Sequence, residues 1–381
     1  MNTITLYQPS KLVFGNGSYN DFVSEFLELP YNNILIVADP NIRKTLSGFL
    51  KQLKQAGKSV QMFTEIPGEP TIGLFSELRD FAEKNSVEAV IGIGGGSVLD
   101  IAKLTAALSF TEFSVDDVMG TGKISHRPLF LACLPTTAGT GSEVSPNAIL
   151  LDEKDNMKKG IISKFLLPDI TYVDPELTHT VPPAVTASTG IDALTHCIEA
   201  YANKFAHPVT DKYAAEGVQL IMGSLLDAYR DGKNAGAREK VALGSLYGGL
   251  CLGPVNTAAV HALAYPLGGE YHIPHGISNA ILLPHVMRSN LPDAAEKYAK
   301  LGSGHGGENS VYVKKKALNF IDSVDQLCRD LDIPDKLSSF NVPEGDIGSL
   351  TDTALTVERL LKNNMRRLTA EEISAIYKKL F

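Results

Sequence analysis

The feature that most constrains the fold is a change of pattern at Val181-Pro182-Pro183. Before it, short apolar runs alternate with amphipathic helical stretches; after it, strand signals nearly vanish. In the first half Asn33–Ala38, Val60–Phe63, Ala89–Ile93, Pro128–Leu134 and Asp169–Val173 read as strands. Helical patterns over Ile42–Ala56, Ile72–Asn85 and Val98–Leu108 separate several of them. Strands apolar along their whole length are buried on both faces, as in a parallel sheet covered by helices on either side. Further strands are expected at Thr3–Tyr7, Lys11–Phe14 and Met157–Ile162. The second half reads as helices over 184–204, 210–230, 236–252, 257–268, 275–288, 294–300, 311–331, 347–361 and 370–380. The expected fold is thus an α/β N-terminal domain with a parallel Rossmann-like sheet, residues 1–182, and an all-α C-terminal domain, residues 183–381.

A chain of 381 residues can bury two cores of this kind. Its net charge of −8 and pI near 5.6 argue against nucleic acid or an anionic membrane as the main partner. No apolar run is long enough to span a bilayer, and Met1–Gly15 lacks the basic and apolar regions of a signal peptide. Cys133, Cys197, Cys251 and Cys328 are far apart with apolar neighbours, as expected of reduced core residues. The cytoplasm is the expected compartment.

Within the α/β half, the strand Ala89–Ile93 runs into Gly94-Gly95-Gly96-Ser97, and a helix begins there. Glycines let the backbone approach a ligand closely, and free N–H groups at a helix N-terminus attract an anion such as a pyrophosphate. The spacing is not the G-x-G-x-x-G of a first strand, and a tight turn needing glycine for packing gives the same letters. Asp39 ends the first apolar strand of the unit. A carboxylate there can accept both hydroxyls of an adenosine ribose, or simply cap the following helix. Thr136, Thr137, Thr140 and Ser142 offer hydroxyls to phosphate, ribose or carboxamide groups, or to their own turn.

The helical half holds the other chemistry. Four of the nine histidines, His261, His272, His275 and His285, fall in Ala258–Val286 among small apolar residues. A buried neutral imidazole needs a partner for its ring nitrogens, and a metal is one. Upstream, Asp192 and His196 are four apart in a helical pattern and so share one face. Either pair alone is as well explained by a surface hydrogen bond or a satisfied core histidine. Together the segments offer a carboxylate and several imidazoles, a donor set that suits ferrous iron or zinc.

These two segments, with Gly94–Lys103 (GGGSVLDIAK) and Pro135–Ala148 (PTTAGTGSEVSPNA), resemble the iron-containing alcohol dehydrogenases, in order over roughly Thr5–Pro284. The resemblance implies a dehydroquinate synthase-like fold and a metal set of Asp192, His196, His261 and His275. It implies an NAD site at Asp39, Gly94, Gly95, Gly96, Ser97, Asp100, Thr136, Thr137, Thr140 and Ser142, with NAD preferred to NADP because Asp39 repels a 2′-phosphate. It places substrate near Asn147 and implies a homodimer built on the N-terminal strand. Fe2+ is the implied metal, with Zn2+ the alternative. The expected reaction is NAD(H)-dependent interconversion of short primary alcohols, diols included, and their aldehydes, with hydride carried by the cofactor in a cleft between the domains.

The chain departs from the family twice. Tyr265 stands where a second histidine is frequent, four residues after His261; it can donate a hydrogen bond or relay a proton, though with a reference pKa of about 10 rather than about 6.5, or simply pack as an aromatic. His272 is the alternative relay. Leu252 replaces a frequent phenylalanine, which widens the expected pocket. Two rival enzymes share the fold: a glycerol dehydrogenase-like polyol oxidase, and a dehydroquinate synthase-like lyase that would need clustered Lys and Arg, not seen near the ligand motifs. A non-catalytic nucleotide-binding scaffold would leave the metal set without a purpose.

Overall fold

The computed structural model describes residues 3–66, 68–154, 157–303 and 310–381. They form two compact units, one of Leu6–Val181 and one made mainly of Pro182–Phe381.

In the first unit, six strands form one parallel sheet: β1 (Lys11–Phe14), β2 (Asn33–Ala38), β3 (Ser59–Phe63), β4 (Ala89–Gly94), β6 (Phe130–Pro135) and β9 (Ile170–Val173). Their order across the sheet is β1-β9-β6-β4-β2-β3. Alternate residues of the apolar runs feed two cores. Leu35, Val37 and Val90 pack with Phe75, Leu78 and Ala82 and with Leu99 and Ala102 on one face. Ile34, Ile36, Ile91 and Ile93 pack with Phe22, Phe26, Leu46, Phe49 and Leu53 on the other. Both faces are covered, which is why these strands carry no polar alternation.

The strand order has one reversal that matters. After β2 the chain crosses outward to β3; after β4 it moves the opposite way, to β6. The carboxyl ends of β2 and β4 therefore flank a topological switch point, where open α/β sheets bind ligands. Asp39 and the Gly94–Ser97 turn both lie there, and the Asp39 N–H donates to the Ile93 carbonyl at 3.1 Å.

Two expectations for this half need correction. Thr3–Tyr7 joins no ladder among the described residues, and β1 (Lys11–Phe14) is the edge strand of the sheet. Met157–Ile162 is a strand, but not of the main sheet. As β8 it pairs antiparallel with β7 (Asn147–Asp152) and parallel with β5 (Gly120–Thr121) in a separate three-stranded sheet.

Among its described residues the second unit is built of helices joined by loops, with a single isolated bridge between Asn203 and Asn364. The expected break near Leu291 is absent: His275–Ser303 is one helix that runs through Pro284 and Pro292. A proline removes one backbone donor, and packing against the helices Pro183–Tyr201 and Ser310–Asp330 offsets that loss. Conversely, the expected helix over 210–230 is broken at Gly223-Ser224 into Pro208–Met222 and Leu225–Arg230.

Candidate functional site

The first unit builds its site from backbone. β4 ends at Gly94, and the helix Gly96–Leu108 starts two residues on. A Cβ on Gly96 would stand 2.6 Å from Thr140 Cγ2, so only glycine lets this turn lie against the threonine loop. The N-cap, Gly95, brings no side-chain bond, and the first-turn N–H groups keep the positive end of the helix open to an anion. Asp39 does cap: its Oδ1 accepts from Asn41 N–H at 2.8 Å. One carboxylate oxygen is thereby committed to the turn Pro40–Ile42.

Asp100 and Ser142 are turned to internal use. The Ser142 hydroxyl donates to Asp100 Oδ1, and Asp100 Oδ2 accepts from Ile149 N–H at 2.9 Å. Between them lies Lys103, fully buried, whose Nζ donates to the Ser142 carbonyl and hydroxyl, each at 2.9 Å, and to the Asn147 carbonyl. Burial pushes the Asp100 carboxyl up and the Lys103 amine down from their ordinary values, each opposed by the other's charge. This network ties the glycine-turn helix to the loop 135–148. The sequence signal for Lys103 was a lysine three residues after Asp100 in an otherwise apolar helix, and it went unread. Thr136 is buried, and Thr140 Oγ1 accepts from Ser142 N–H at 3.3 Å. Asn147 stands at the start of β7 with its side-chain Oδ1 buried and without a hydrogen-bond partner among the described residues.

The second unit builds its site from side chains on three helices. Pro183–Tyr201 carries Asp192 and His196, Ala259–Tyr271 carries His261, and His275–Ser303 opens with His275. Gly276 sets the last of these: a Cβ there would stand 2.2 Å from the Ser188 carbonyl oxygen, so glycine alone lets the two backbones meet. Asp192, His261 and His275 offer ligand atoms that lie within 4.8 Å of one another. From Asp192 Oδ1 it is 3.5 Å to His261 Nε2, 3.6 Å to His275 Nε2 and 3.7 Å to His196 Nε2. His196 thus reaches the same oxygen but stands outside the tight trio, its ring stacked on His261 at 4.8 Å between centroids. Asp192, His196 and His261 are buried, while the His275 side chain is 30% exposed, so the trio is reached from its side.

This donor set fits a divalent cation. Ligand atoms about 2.1 Å from a tetrahedral ion stand about 3.4 Å apart, close to the spacings here. Three candidate ligand atoms also gather around one side-chain nitrogen. The Asn279 amide nitrogen donates to Asp192 Oδ1 at 2.7 Å and lies 3.2 Å from His261 Nε2 and 3.3 Å from His275 Nε2. Burial opposes ionisation of Asp192, but the imidazoles of His196, His275 and His261 outweigh it and hold the carboxyl well below its usual range. Burial also disfavours a charged His261, yet its bonds to Asp192 and Glu199 raise it to about 9. The pocket's field favours positive charge.

Glu199 and Asn279 were missed by sequence reasoning. Asn279 lies one helical turn after His275, and Glu199 lies three residues after His196, positions that place each near the cluster. His272 is not brought to the trio: it is exposed, adopts a left-handed backbone (φ 54°) as the C-cap of its helix, and bonds to none of the three among the described residues. Tyr265 is half-buried one turn beyond His261, and Leu252 is buried at the end of the helix Ala235–Leu252.

The first unit thus offers a glycine turn at a helix N-terminus on a Rossmann-like parallel sheet, and the second a carboxylate–imidazole cluster that could hold a metal. Comparison with known proteins gives the family. Residues 9–175 match the iron-containing alcohol dehydrogenase family and residues 186–381 match the C-terminal domain of the Fe-containing alcohol dehydrogenases. The chain is 38% identical over 375 residues to long-chain-alcohol dehydrogenase 1 of Geobacillus thermodenitrificans, covering 96% of this chain and 94% of that one. Among solved structures, a 1,3-propanediol oxidoreductase superposes with a TM-score of 0.93 at 32% identity, each chain covered completely. The sulfoacetaldehyde reductase of Bifidobacterium kashiwanohense, solved in complex with NAD+, superposes at 0.88 with 28% identity, covering 100% of this chain and 99% of that one. The protein belongs to the iron-containing alcohol dehydrogenase family. It is an alcohol dehydrogenase or aldehyde reductase of the iron type, and the lyase and glycerol dehydrogenase readings are not favoured.

Proposed function

We propose that the protein interconverts short primary alcohols, including diols and other polar alcohols, with their aldehydes, using NAD(H) and a ferrous ion, for which zinc can substitute. The observation that carries this reading is the convergence of Asp192, His261 and His275 on one point, with His196 beside them. Asp192, His261 and His275, with His196 beside them, would hold a divalent cation that would supply Lewis-acid chemistry at the substrate oxygen, and NAD(H) would supply the hydride chemistry. The chain's own residues do the rest. Burial of Asp192 and His261 excludes water from the inner side of the site, and the partial exposure of His275 leaves one side for substrate. The open helix N-terminus at Gly96 would hold the pyrophosphate, and Asp39, with one oxygen committed to its cap, would keep the other for the ribose and against a 2′-phosphate.

The buried, unpartnered Oδ1 of Asn147 supports a second polar group on the substrate. Asn147→Ala is expected to cost several-fold in kcat/KM with 1,3-propanediol, on the scale of about 0.5–1.5 kcal/mol for a neutral hydrogen bond, and to spare 1-propanol. The long-chain-alcohol dehydrogenase among its relatives favours a second reading, an extended alkyl substrate, for which Leu252 in place of a larger ring leaves room. A spectrophotometric series from ethanol to 1-decanol, with 1,3-propanediol alongside, decides between them. Highest kcat/KM at two to four carbons or with the diol upholds the first reading, and a rise with every added methylene replaces it by the second. We further propose that the protein works as a homodimer, as the family resemblance implies, in the cytoplasm, in keeping with the four free, buried cysteines.

A further inference from the structure

We propose that Glu199 is a positioning residue that fixes both the ring tautomer of His261 and the helix that carries it. This rests on the metal reading of the trio. The Glu199 carboxylate is buried, and it accepts three hydrogen bonds from one short stretch. Oε2 accepts from Ala258 N–H at 2.9 Å and lies 2.7 Å from His261 Nδ1, and Oε1 accepts from Val260 N–H at 2.6 Å. The helix Ala259–Tyr271 has no side-chain cap of its own, because its N-cap residue is Ala258. Glu199, fifty-nine residues earlier on the Asp192 helix, supplies that cap. A carboxylate at a helix N-terminus also complements its positive end.

The consequence for His261 follows from proton bookkeeping. A carboxylate only accepts, so the proton of a neutral His261 sits on Nδ1, facing Glu199. The lone pair is then on Nε2, the atom that points to Asp192 Oδ1 at 3.5 Å and to Asn279. One side chain therefore holds the helix, the ring plane and the tautomer in the state that presents Nε2 to a cation. Partners of this kind, bonded to a ligand rather than to the metal, typically contribute 10–100-fold in metal affinity.

Glu199→Gln tests the inference with little change of shape. Its amide must place an NH2 against at least one of the three donors, so the set of bonds cannot survive intact. Metal affinity is read by chelator competition with zinc, and the His261 ring by 15N-histidine NMR of the zinc-loaded, diamagnetic protein. The expected results are a 10–100-fold weaker zinc affinity in Glu199→Gln and, in wild type, a downfield Nδ1–H signal that the substitution moves or loses. Glu199→Asp, which keeps the charge, is expected to recover part of the affinity, and it serves as the second variant should the glutamine form fail to fold. Zinc affinity within twofold of wild type in a folded Glu199→Gln, or a wild-type His261 with its proton on Nε2, overturns the proposal. A lowered melting temperature with unchanged zinc affinity also overturns it, because it reduces Glu199 to a helix cap. If wild type itself binds no zinc at the trio, the metal reading fails first, and that outcome is seen before any variant is compared.

Discussion

The two units build their candidate sites from different materials. In Leu6–Val181 the site is made of backbone at the ends of two neighbouring strands, and side chains such as Lys103 and Asp100 serve mainly to press one loop against one helix. In the helical unit the backbone only brings three helices together, and side chains from positions 192 to 275 meet at a point. A backbone site tolerates side-chain exchange but not added bulk. A side-chain site fails when any one donor is removed, and also when the helices carrying the donors are held apart.

The largest expected effect falls on the side-chain site. Asp192→Ala removes the one carboxylate that His196, His261 and His275 all approach. Metal content by elemental analysis is expected to fall to background and turnover with it. Full occupancy in the mutant would show that the imidazoles suffice, and the contrast between the units would weaken. Next is Gly276→Ala, which adds no chemistry but places a methyl 2.2 Å from a backbone carbonyl. Overpacking of this kind costs about 1–3 kcal/mol, and the separation of His275 from Asp192 should lower zinc affinity at least tenfold by chelator competition. Unchanged affinity would mean that the helices adjust freely.

In the backbone-built unit the expected effects are smaller and of another kind. Burial pushes the Glu143 carboxyl up to about 7, from an ordinary value of 4.5. The fold therefore favours its protonated form, and stability falls as pH rises between about 4.5 and 7, after which the cost is complete. Glu143→Gln should be more stable than wild type at pH 8 by up to about 3 kcal/mol and nearly equal to it at pH 4.5, read by thermal melts at both pH values. A pH-independent difference would show that Glu143 does not titrate in this range. Smallest is Asp39→Gly, expected to relax the preference for NADH over NADPH several-fold while leaving metal content intact. A wild type that already prefers NADPH would leave Asp39 with its capping role only.

The same difference governs what the sequence reveals. The strands β2, β4 and β6 were legible because burial on both faces leaves a local mark, an unbroken apolar run. The glycine turn was legible because close approach demands glycine. Asp192 and His196 were legible as a pair through helical spacing, and their meeting with His261 and His275 through a family resemblance. Glu199 and Asn279 were not, because a carboxylate or amide in a helix looks like a solvated face until the helix across from it is known. Lys103 was hidden by its setting: its three acceptors lie about forty residues away in a loop whose path only the tertiary structure gives. The continuous helix through Pro284 and Pro292 was read as two, because a proline's local cost is visible in sequence and the packing that offsets it is not.

A metal held by the helical unit and NAD held by the α/β unit are proposed to serve one reaction. This is tested most directly by stripping the protein of metal, adding back ferrous iron anaerobically or zinc, and following NAD+ reduction with 1-propanol and 1,3-propanediol. No turnover is expected without metal, and recovery should saturate at one equivalent per chain in wild type and be absent in Asp192→Ala. Turnover by the metal-free protein, or equal recovery in the mutant, would contradict the proposal.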